Sequence, residues 1–192
     1  MKEKNSVMRR IVENMSRVII GKEGPARLMV IALASAGHIL IEDVPGIGKT
    51  TMANSMAKSV GLSFNRIQFT PDILPSDITG FTIFNQKTGE FEYRSGNVMS
   101  NVILADEINR TSPKTQASML EVMEERQVTV DGKTYSVPNP FMVIATQNPV
   151  EYMGTYPLPE AQMDRFMMRI SVGYPSHAEE VDLLYRFQET NP

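Results

Sequence analysis

Apolar residues recur at helical spacing in the first segment. Val7, Met8, Ile11, Val12 and Met15 share one stripe, which predicts an amphipathic helix over Lys2–Ser16. Gly24-Pro25 opens a second helix, about Pro25–Ala36, with proline in the first turn, where its missing N–H costs nothing. His38–Glu42 (HILIE) reads as a short apolar strand, Thr50–Val60 as a helix stopped by Gly61, and Phe64–Gln68 as a strand. Phe81–Asn85 and Glu90–Arg94 alternate apolar and polar residues around Gln86-Lys87-Thr88-Gly89, which predicts a β-hairpin. Asn101–Ala105 and Phe141–Thr146 are unbroken apolar runs, the pattern of strands buried on both faces. Pro113–Arg126 reads as a helix. Gln127–Val130 and Lys133–Ser136 flank Asp131-Gly132, a strong hairpin signal. Pro159–Phe166 predicts a short helix, Met167–Val172 a strand, and Ser176–Gln188 a final helix capped by Ser176.

Buried strands alternating with helices predict a three-layer α/β fold: a parallel sheet with helices on both faces. The two hairpins close no βαβ unit. They are either decoration or working parts, since protruding loops on rigid scaffolds often carry function. The 192 residues are 42% hydrophobic and 21% charged, which excludes bulk disorder. A net charge of −3 is no footprint of a polyanion binder and disfavours nucleic acid as a partner. With no cysteine there is no disulfide, thiolate metal site or cysteine nucleophile, and a cytoplasmic location is expected. The longest apolar stretch, Leu28–Ala36, is too short to span a bilayer, and Met1–Arg17 lacks an apolar export core, so no membrane is expected. Fourteen methionines read as adaptable core filler.

The chemistry begins after the first strand. Asp43-Val44-Pro45-Gly46-Ile47-Gly48-Lys49-Thr50 matches the phosphate-loop pattern G-x-x-x-x-G-K-[ST] at every position but the first, where Asp43 replaces glycine. Gly46 and Gly48 let the main chain curl so that successive N–H groups face a phosphate. The following helix adds its positive end, Lys49 reaches the β- and γ-phosphates, and the Thr50 hydroxyl ligates Mg²⁺. Val44, Pro45, Ile47 and Thr51 complete the stretch expected to line the nucleotide. Asp43 sits where a tight turn is wanted, and Asp tolerates such turns.

About 55 residues later Ile103-Leu104-Ala105-Asp106-Glu107 sets two carboxylates at the end of a buried strand. Asp106 is expected to hold Mg²⁺ and Glu107 to polarise the water that attacks the γ-phosphate. The two motifs in this order point to nucleotide hydrolysis. Asn148, at the end of the next buried strand, is placed to hydrogen-bond both γ-phosphate and water; taken alone, Asn-Pro reads first as a turn starter. Gln68 and Thr70, past another strand end, are candidates to pair with Glu107 when no γ-phosphate is present. Arg165 is either an arginine delivered to a neighbour's γ-phosphate or half of an Asp164–Arg165 surface pair; Arg110 is the second candidate.

On these residues the chain resembles the MoxR-type AAA+ ATPases. The likeness is carried by VIIGKEG (Val18–Gly24), GHILIEDVPGIGKT (Gly37–Thr50), QFTPDILPSDITG (Gln68–Gly80), LADEINR (Leu104–Arg110), ATQNPVEYMGTYPLPEAQMDRF (Ala145–Phe166) and YPSHAEE (Tyr174–Glu180), and it covers Val18–Gln188. The resemblance implies a P-loop NTPase core with a five-stranded parallel sheet of order 5-1-4-3-2. It makes the Gly80–Arg94 hairpin a helix-2 insert and the Gln127–Val137 hairpin a pre-sensor-1 hairpin. It assigns Lys49 and Thr50 to Walker A, Asp106 and Glu107 to Walker B, Asn148 to sensor 1 and Arg165 to the arginine finger, and it sets Ile20 and Gly21 against adenine. It implies a homo-oligomeric ring, a hexamer, acting as a chaperone that remodels protein partners, among them von Willebrand factor A domain proteins and their bound metal. Such proteins continue for roughly a hundred further residues into a helical lid, the size of a small domain. That lid carries the sensor-2 arginine. Without it this chain is expected to bind nucleotide weakly and hydrolyse it slowly.

Two other readings compete. One is a nucleic-acid motor akin to minichromosome maintenance helicases, which share both hairpins. Against it, Lys87 and Arg94 balance Glu90 and Glu92, and Lys133 balances Asp131. The other is a nucleotide switch without significant hydrolysis. A GTPase is disfavoured, because no Asn-Lys-x-Asp guanine reader occurs.

Overall fold

A computed structural model describes residues 2–43, 46–148, 154–181 and 185. The helices are α1 (Lys2–Ser16), α2 (Glu23–Ala34), α3 (Lys49–Ser59), α4 (Pro75–Thr79), α5 (Pro113–Glu125) and α6 (Glu160–Met163). The strands are β1 (Ile39–Glu42), β2 (Phe64–Gln68), β3 (Gly80–Asn85), β4 (Glu90–Ser95), β5 (Val102–Asp106), β6 (Gln127–Val130), β7 (Lys133–Ser136), β8 (Met142–Gln147) and β9 (Met168–Ile170). A 3₁₀ turn covers Ile108–Arg110, and residues 177–181 are helical. The rest of the expected Ser176–Gln188 helix lies largely outside the described residues.

Five strands form one parallel sheet of order β2-β5-β8-β1-β9. Counting only these strands along the chain, that order is 5-1-4-3-2 read from the β9 edge. The strands β3–β4 and β6–β7 are separate antiparallel hairpins. Alternation along the central strands explains the three layers. Ile39, Ile41, Val102, Leu104, Met142 and Ile144 face the side packed by α1, α2 and α3. Leu40, Ile103, Ala105, Val143 and Ala145 face the opposite side, with Met119, Leu120 and Met123 of α5. Fully burying one such side chain contributes about 1.5–3 kcal/mol. Met15, Met29, Met52 and Met56 are wholly buried, in keeping with methionine as core filler. On α1, Val12 and Met15 are buried and Met8 and Ile11 pack beside them, whereas Val7 stays 45% exposed.

Several boundaries shift for local reasons. α2 begins at Glu23 and ends at Ala34, earlier than Ala36. Gly37 N donates to Ala32 O (2.8 Å) and Ala36 N to Leu33 O (3.2 Å), a closing motif that satisfies the last carbonyls. α6 spans only Glu160–Met163, because the chain must turn to bring Met167 N onto His38 O at 2.9 Å and enter the sheet. β9 stops at Ile170 rather than Val172, because the Val172 amide leaves the sheet to meet the Asp43 carboxylate. The short helix α4 was not expected from the sequence.

Candidate nucleotide site

Parallel strands put their carboxyl ends on one edge, the usual place for a ligand in an open α/β sheet. The register sets Glu42 beside Gln147 and Gln68 beside Asp106. Residues following β1, β2, β5 and β8 therefore emerge together.

After β1 the chain turns through Gly46 (φ 86°) and Gly48 (φ 84°) into α3. Among the described residues, a side-chain carbon added at either glycine meets nothing within 4 Å beyond its chain neighbours. Torsion, not crowding, demands glycine here. No side chain caps the start of α3, so its first-turn N–H groups are not claimed in that way. Lys49 Nζ donates to Asp43 O at 3.1 Å, across the turn. Thr50 is half-buried and Thr51 exposed, while Ile47 is buried among the core residues of the α1–α3 side. Ile47 thus offers a ligand its backbone only. Val44 and Pro45 lie outside the described residues.

Asp43 does more than form a tight turn. Its Oδ2 accepts from the amides of Val172 and Gly173, the latter at 3.3 Å, and its Oδ1 accepts from Ser171 Oγ at 3.0 Å. The carboxylate that breaks the loop pattern ties the loop to the segment leaving β9.

At the end of β5, Asp106 is 9% exposed. Its Oδ1 accepts from Thr146 Oγ1 at 2.6 Å, and its Oδ2 accepts from Arg66 Nη2 at 2.6 Å and Nε at 3.1 Å. Glu107 is held in the left-handed region (φ 57°, ψ 48°), at a cost of about 1 kcal/mol or more for a non-glycine residue. Its amide donates to Thr146 Oγ1 at 2.8 Å, and its Oε2 accepts from Gln68 Nε2 at 2.8 Å and Arg110 Nη1 at 3.0 Å. The expected Gln68–Glu107 pair is present. Thr70 takes no part: its hydroxyl donates to Asp72 Oδ1 at 2.6 Å, a local turn bond that competes with reaching across the sheet. That bond holds the Asp72 carboxyl below its ordinary pKa. Arg66 and Thr146 were missed in the sequence. A threonine closing the apolar run FMVIAT was the one available signal.

Asn148 follows β8, between the strands that carry the loop and the acids, and is partly buried. Arg165 is not brought to this edge. It lies before β9, near the amino ends of the strands. Its Nε donates to Glu124 Oε2 at 2.9 Å and its Nη2 lies 2.6 Å from the same oxygen. The acid that pairs with it is therefore on α5 and is not Asp164.

Between α1 and α2, Ile20 is half-buried and Gly21 exposed. The Glu179 carboxylate rests against Gly21, with Oε1 only 1.7 Å from where a Cβ would stand. Glu179 closes a reciprocal cap: Ser176 N donates to its Oε2 at 2.6 Å, and Glu179 N donates to Ser176 Oγ at 3.4 Å. These bonds, with Lys22 nearby, lower the Glu179 pKa. Buried Lys22 donates to Tyr174 O at 2.8 Å. Residues 18–24 and 174–179 thus form one wall.

The donor set suits a nucleotide-borne Mg²⁺. That ion takes one or two carboxylates with phosphate oxygens and water rather than a protein cage. Among the described residues no cluster of three metal-ligating side chains occurs. Thr50 at the start of α3 and Asp106 at the end of β5 are the hydroxyl and the carboxylate that would suit it.

Residues 38–168 match the family described as ATPase family associated with various cellular activities (AAA). The uncharacterised protein YeaC of Bacillus subtilis is 60% identical over 94% of this chain and 57% of its own length. Chaperone MoxR1 of Mycobacterium tuberculosis is 48% identical over 96% of this chain and 49% of its own. A crystal structure from Cytophaga hutchinsonii, of a protein named as a candidate ATPase, superposes with a TM-score of 0.87 at 47% identity, covering 97% of this chain and 56% of that one. The chain spans about half the length of the relatives it matches. With its phosphate loop, its acidic strand end and these relatives, it belongs to the AAA family of ATPases, in the MoxR branch.

Proposed function

We propose that this chain is the motor core of a Mg²⁺-dependent ATPase that works as a protein-remodelling chaperone. One observation carries the reading: the open glycine turn after β1 and the Asp106–Glu107 pair after β5 leave the same sheet edge, one strand apart. Lys49 and the loop amides bind and neutralise the β- and γ-phosphates. Thr50 and Asp106 would hold Mg²⁺, which would supply neutralisation of the phosphate charge. Glu107 and Asn148 orient the attacking water, and Glu107 takes its proton. Ile20, Gly21 and the loop residues Val44–Thr51 line the nucleotide.

Arg165 serves a neighbouring copy. Its place at the opposite ends of the strands from the phosphate loop supports a role toward another copy rather than its own site; the likeness to MoxR proteins extends this to a homo-oligomeric ring, a hexamer. Protein substrates are supported by the β3–β4 hairpin, whose charges cancel and whose Phe81, Phe84 and Phe91 are 49%, 54% and 70% exposed. Such a surface suits apolar protein contact better than a phosphate backbone. The likeness to MoxR proteins extends the proposal to von Willebrand factor A domain partners and the loading of their metal.

The test is ATP turnover beside ATP binding. Glu107→Gln is expected to keep binding and lose turnover by about 10²–10⁴, and Lys49→Ala to lose binding. Unchanged turnover in Glu107→Gln rejects hydrolysis in favour of a nucleotide switch.

A further inference from the structure

We infer that Arg66 is a positioning residue that competes with the divalent cation for Asp106 and, through Gln68, sets the hold on Glu107. The inference rests on the nucleotide-site reading above but concerns a residue to which that reading gives no part. A single guanidinium nitrogen, Nη2, lies 2.6 Å from Asp106 Oδ2 and 2.5 Å from Gln68 Oε1, while Nε adds a second bond to the same Asp106 oxygen at 3.1 Å. The far end of the Gln68 amide donates to Glu107 Oε2 at 2.8 Å.

The amide has one orientation that satisfies both neighbours. Its carbonyl must face the cation and its NH₂ the carboxylate; reversed, it would set NH₂ against guanidinium and carbonyl against carboxylate. Arg66 therefore fixes Gln68, and Gln68 holds Glu107.

The same guanidinium stands where a cation has to share. Asp106 Oδ1 is engaged by the Thr146 hydroxyl, so Arg66 occupies the other oxygen. A divalent ion on Asp106 repels the guanidinium across one carboxylate. Arg66 has somewhere to go, since its side chain is 46% exposed while that of Asp106 is 12% exposed. Nη2 serves both Asp106 and Gln68, with Nε adding to the Asp106 contact, so a guanidinium driven off Asp106 into solvent gives up Gln68 as well. The amide is then able to turn, and Glu107 loses the Gln68 donor and keeps Arg110. Cation arrival and the freeing of Glu107 become one event, which keeps the base tied until the metal is in place.

Titration of Mg²⁺ into the protein with a fluorescent anthraniloyl-ADP reads the competition without turnover. Arg66→Gln is expected to lower the half-saturating Mg²⁺ concentration about tenfold, roughly the effect of removing one competing charge. Nucleotide affinity in EDTA should stay within about twofold, because Arg66 makes no phosphate contact in this scheme. Arg66→Lys keeps a competing cation and should restore most of the wild-type midpoint. A midpoint in Arg66→Gln equal to or above that of wild type overturns the inference. So does an equal loss of affinity with and without Mg²⁺, the mark of a merely structural residue. If the wild type itself binds no anthraniloyl-ADP, the nucleotide-site reading fails and takes the inference with it.

A measurement on the unmodified protein covers a variant that does not fold. The Arg66 Nε–H, bonded to Asp106, should be protected from solvent exchange by NMR in the ADP complex and should lose protection on adding Mg²⁺. Protection that persists in the Mg-ADP complex overturns the inference.

Discussion

Asp43 Oδ1 accepts the Ser171 hydroxyl at 3.0 Å, so the residue that departs from the phosphate-loop pattern binds the chain 128 positions later. The Val172 amide, in a residue only 7% exposed, depends on the same carboxylate. Asp43→Gly restores the general pattern but strands that amide. Leaving a buried donor without its charged acceptor costs about 1–3 kcal/mol. For a chain of this size that corresponds to a fall in melting temperature of roughly 2–4 °C per kcal/mol. Asp43→Asn keeps one acceptor oxygen and should fall between. Thermal or urea unfolding of the three proteins checks the ranking. Equal stability of Asp43→Gly and wild type contradicts a fastening role.

The Thr146 hydroxyl does two jobs at once: it accepts from Glu107 N at 2.8 Å and donates to Asp106 Oδ1 at 2.6 Å, wholly buried. Thr146→Val keeps the shape and removes both bonds. Glu107 then loses the acceptor that steadies its left-handed backbone. We expect a stability loss of about 2–4 kcal/mol, since one oxygen of the buried Asp106 carboxylate and the part-buried Glu107 amide both lose their partner. Turnover should fall further than the melting temperature explains, with Thr146→Ser close to wild type in both. Turnover per folded molecule that is intact in Thr146→Val goes against the positioning role.

Much of this arrangement was legible in the residues, and the remainder fails in a regular way. β2, β6 and β7 appear with the expected bounds, because apolar alternation and the Asp131-Gly132 turn are local signals. The phosphate loop and the acidic strand end were legible for the same reason: each is a contiguous motif whose neighbours show strand and helix periodicity. α4 was not, since five residues from Pro75 hold too few turns to show a period. Arg66, Thr146 and the Glu124–Arg165 pair were hidden for another reason. Each works through a partner about 40 positions away, set by the register of β2, β5 and β8 or by the packing of α5. Asp43 shows the limit most plainly: a local motif marks it as a mismatch, and only the sheet order puts Ser171 within its reach.

His38 gives the fold a pH dependence. It is 5% exposed, its Nδ1 accepts from Val143 N at 2.9 Å, and its Nε2–H donates to Met123 O at 3.1 Å. Burial pushes its pKa below the ordinary value near 6.5. The Met123 carbonyl opposes that shift and the Arg126 charge adds to it. The folded state thus binds fewer protons than the unfolded chain just below that value. The stability contributed by neutral His38 is present above about pH 6.5 and is lost as pH falls towards the depressed folded pKa. The slope is at most about 1.4 kcal/mol per pH unit for one proton. His38→Asn keeps an acceptor for Val143 N and removes the titration. Subtracting its stability curve from that of wild type should leave a slope confined to this interval. A difference that is flat from neutral to mildly acidic pH contradicts the assignment.

Arg165 provides the sharpest test of a site shared between copies. Within one chain it is bound to Glu124, near the opposite ends of the strands from the phosphate loop. If it completes a neighbour's site, Arg165→Ala should lower turnover by about 10³-fold or more, as for arginine fingers, and leave ATP affinity nearly unchanged. Removing Glu124 should leave the guanidinium held, among the described residues, only by its Nη1 bond to Ala161 O (3.2 Å) and cost little, because the pair is partly exposed and such pairs are worth about 0–1 kcal/mol. Geometry then predicts complementation. A subunit carrying Arg165→Ala retains an intact phosphate loop and acid pair, and a subunit carrying Glu107→Gln retains an intact arginine. Mixed rings therefore contain some sites with every part in place, and two inactive proteins should regain turnover when combined, in proportion to the frequency of that contact. An arginine acting within its own chain yields no such recovery at any mixing ratio.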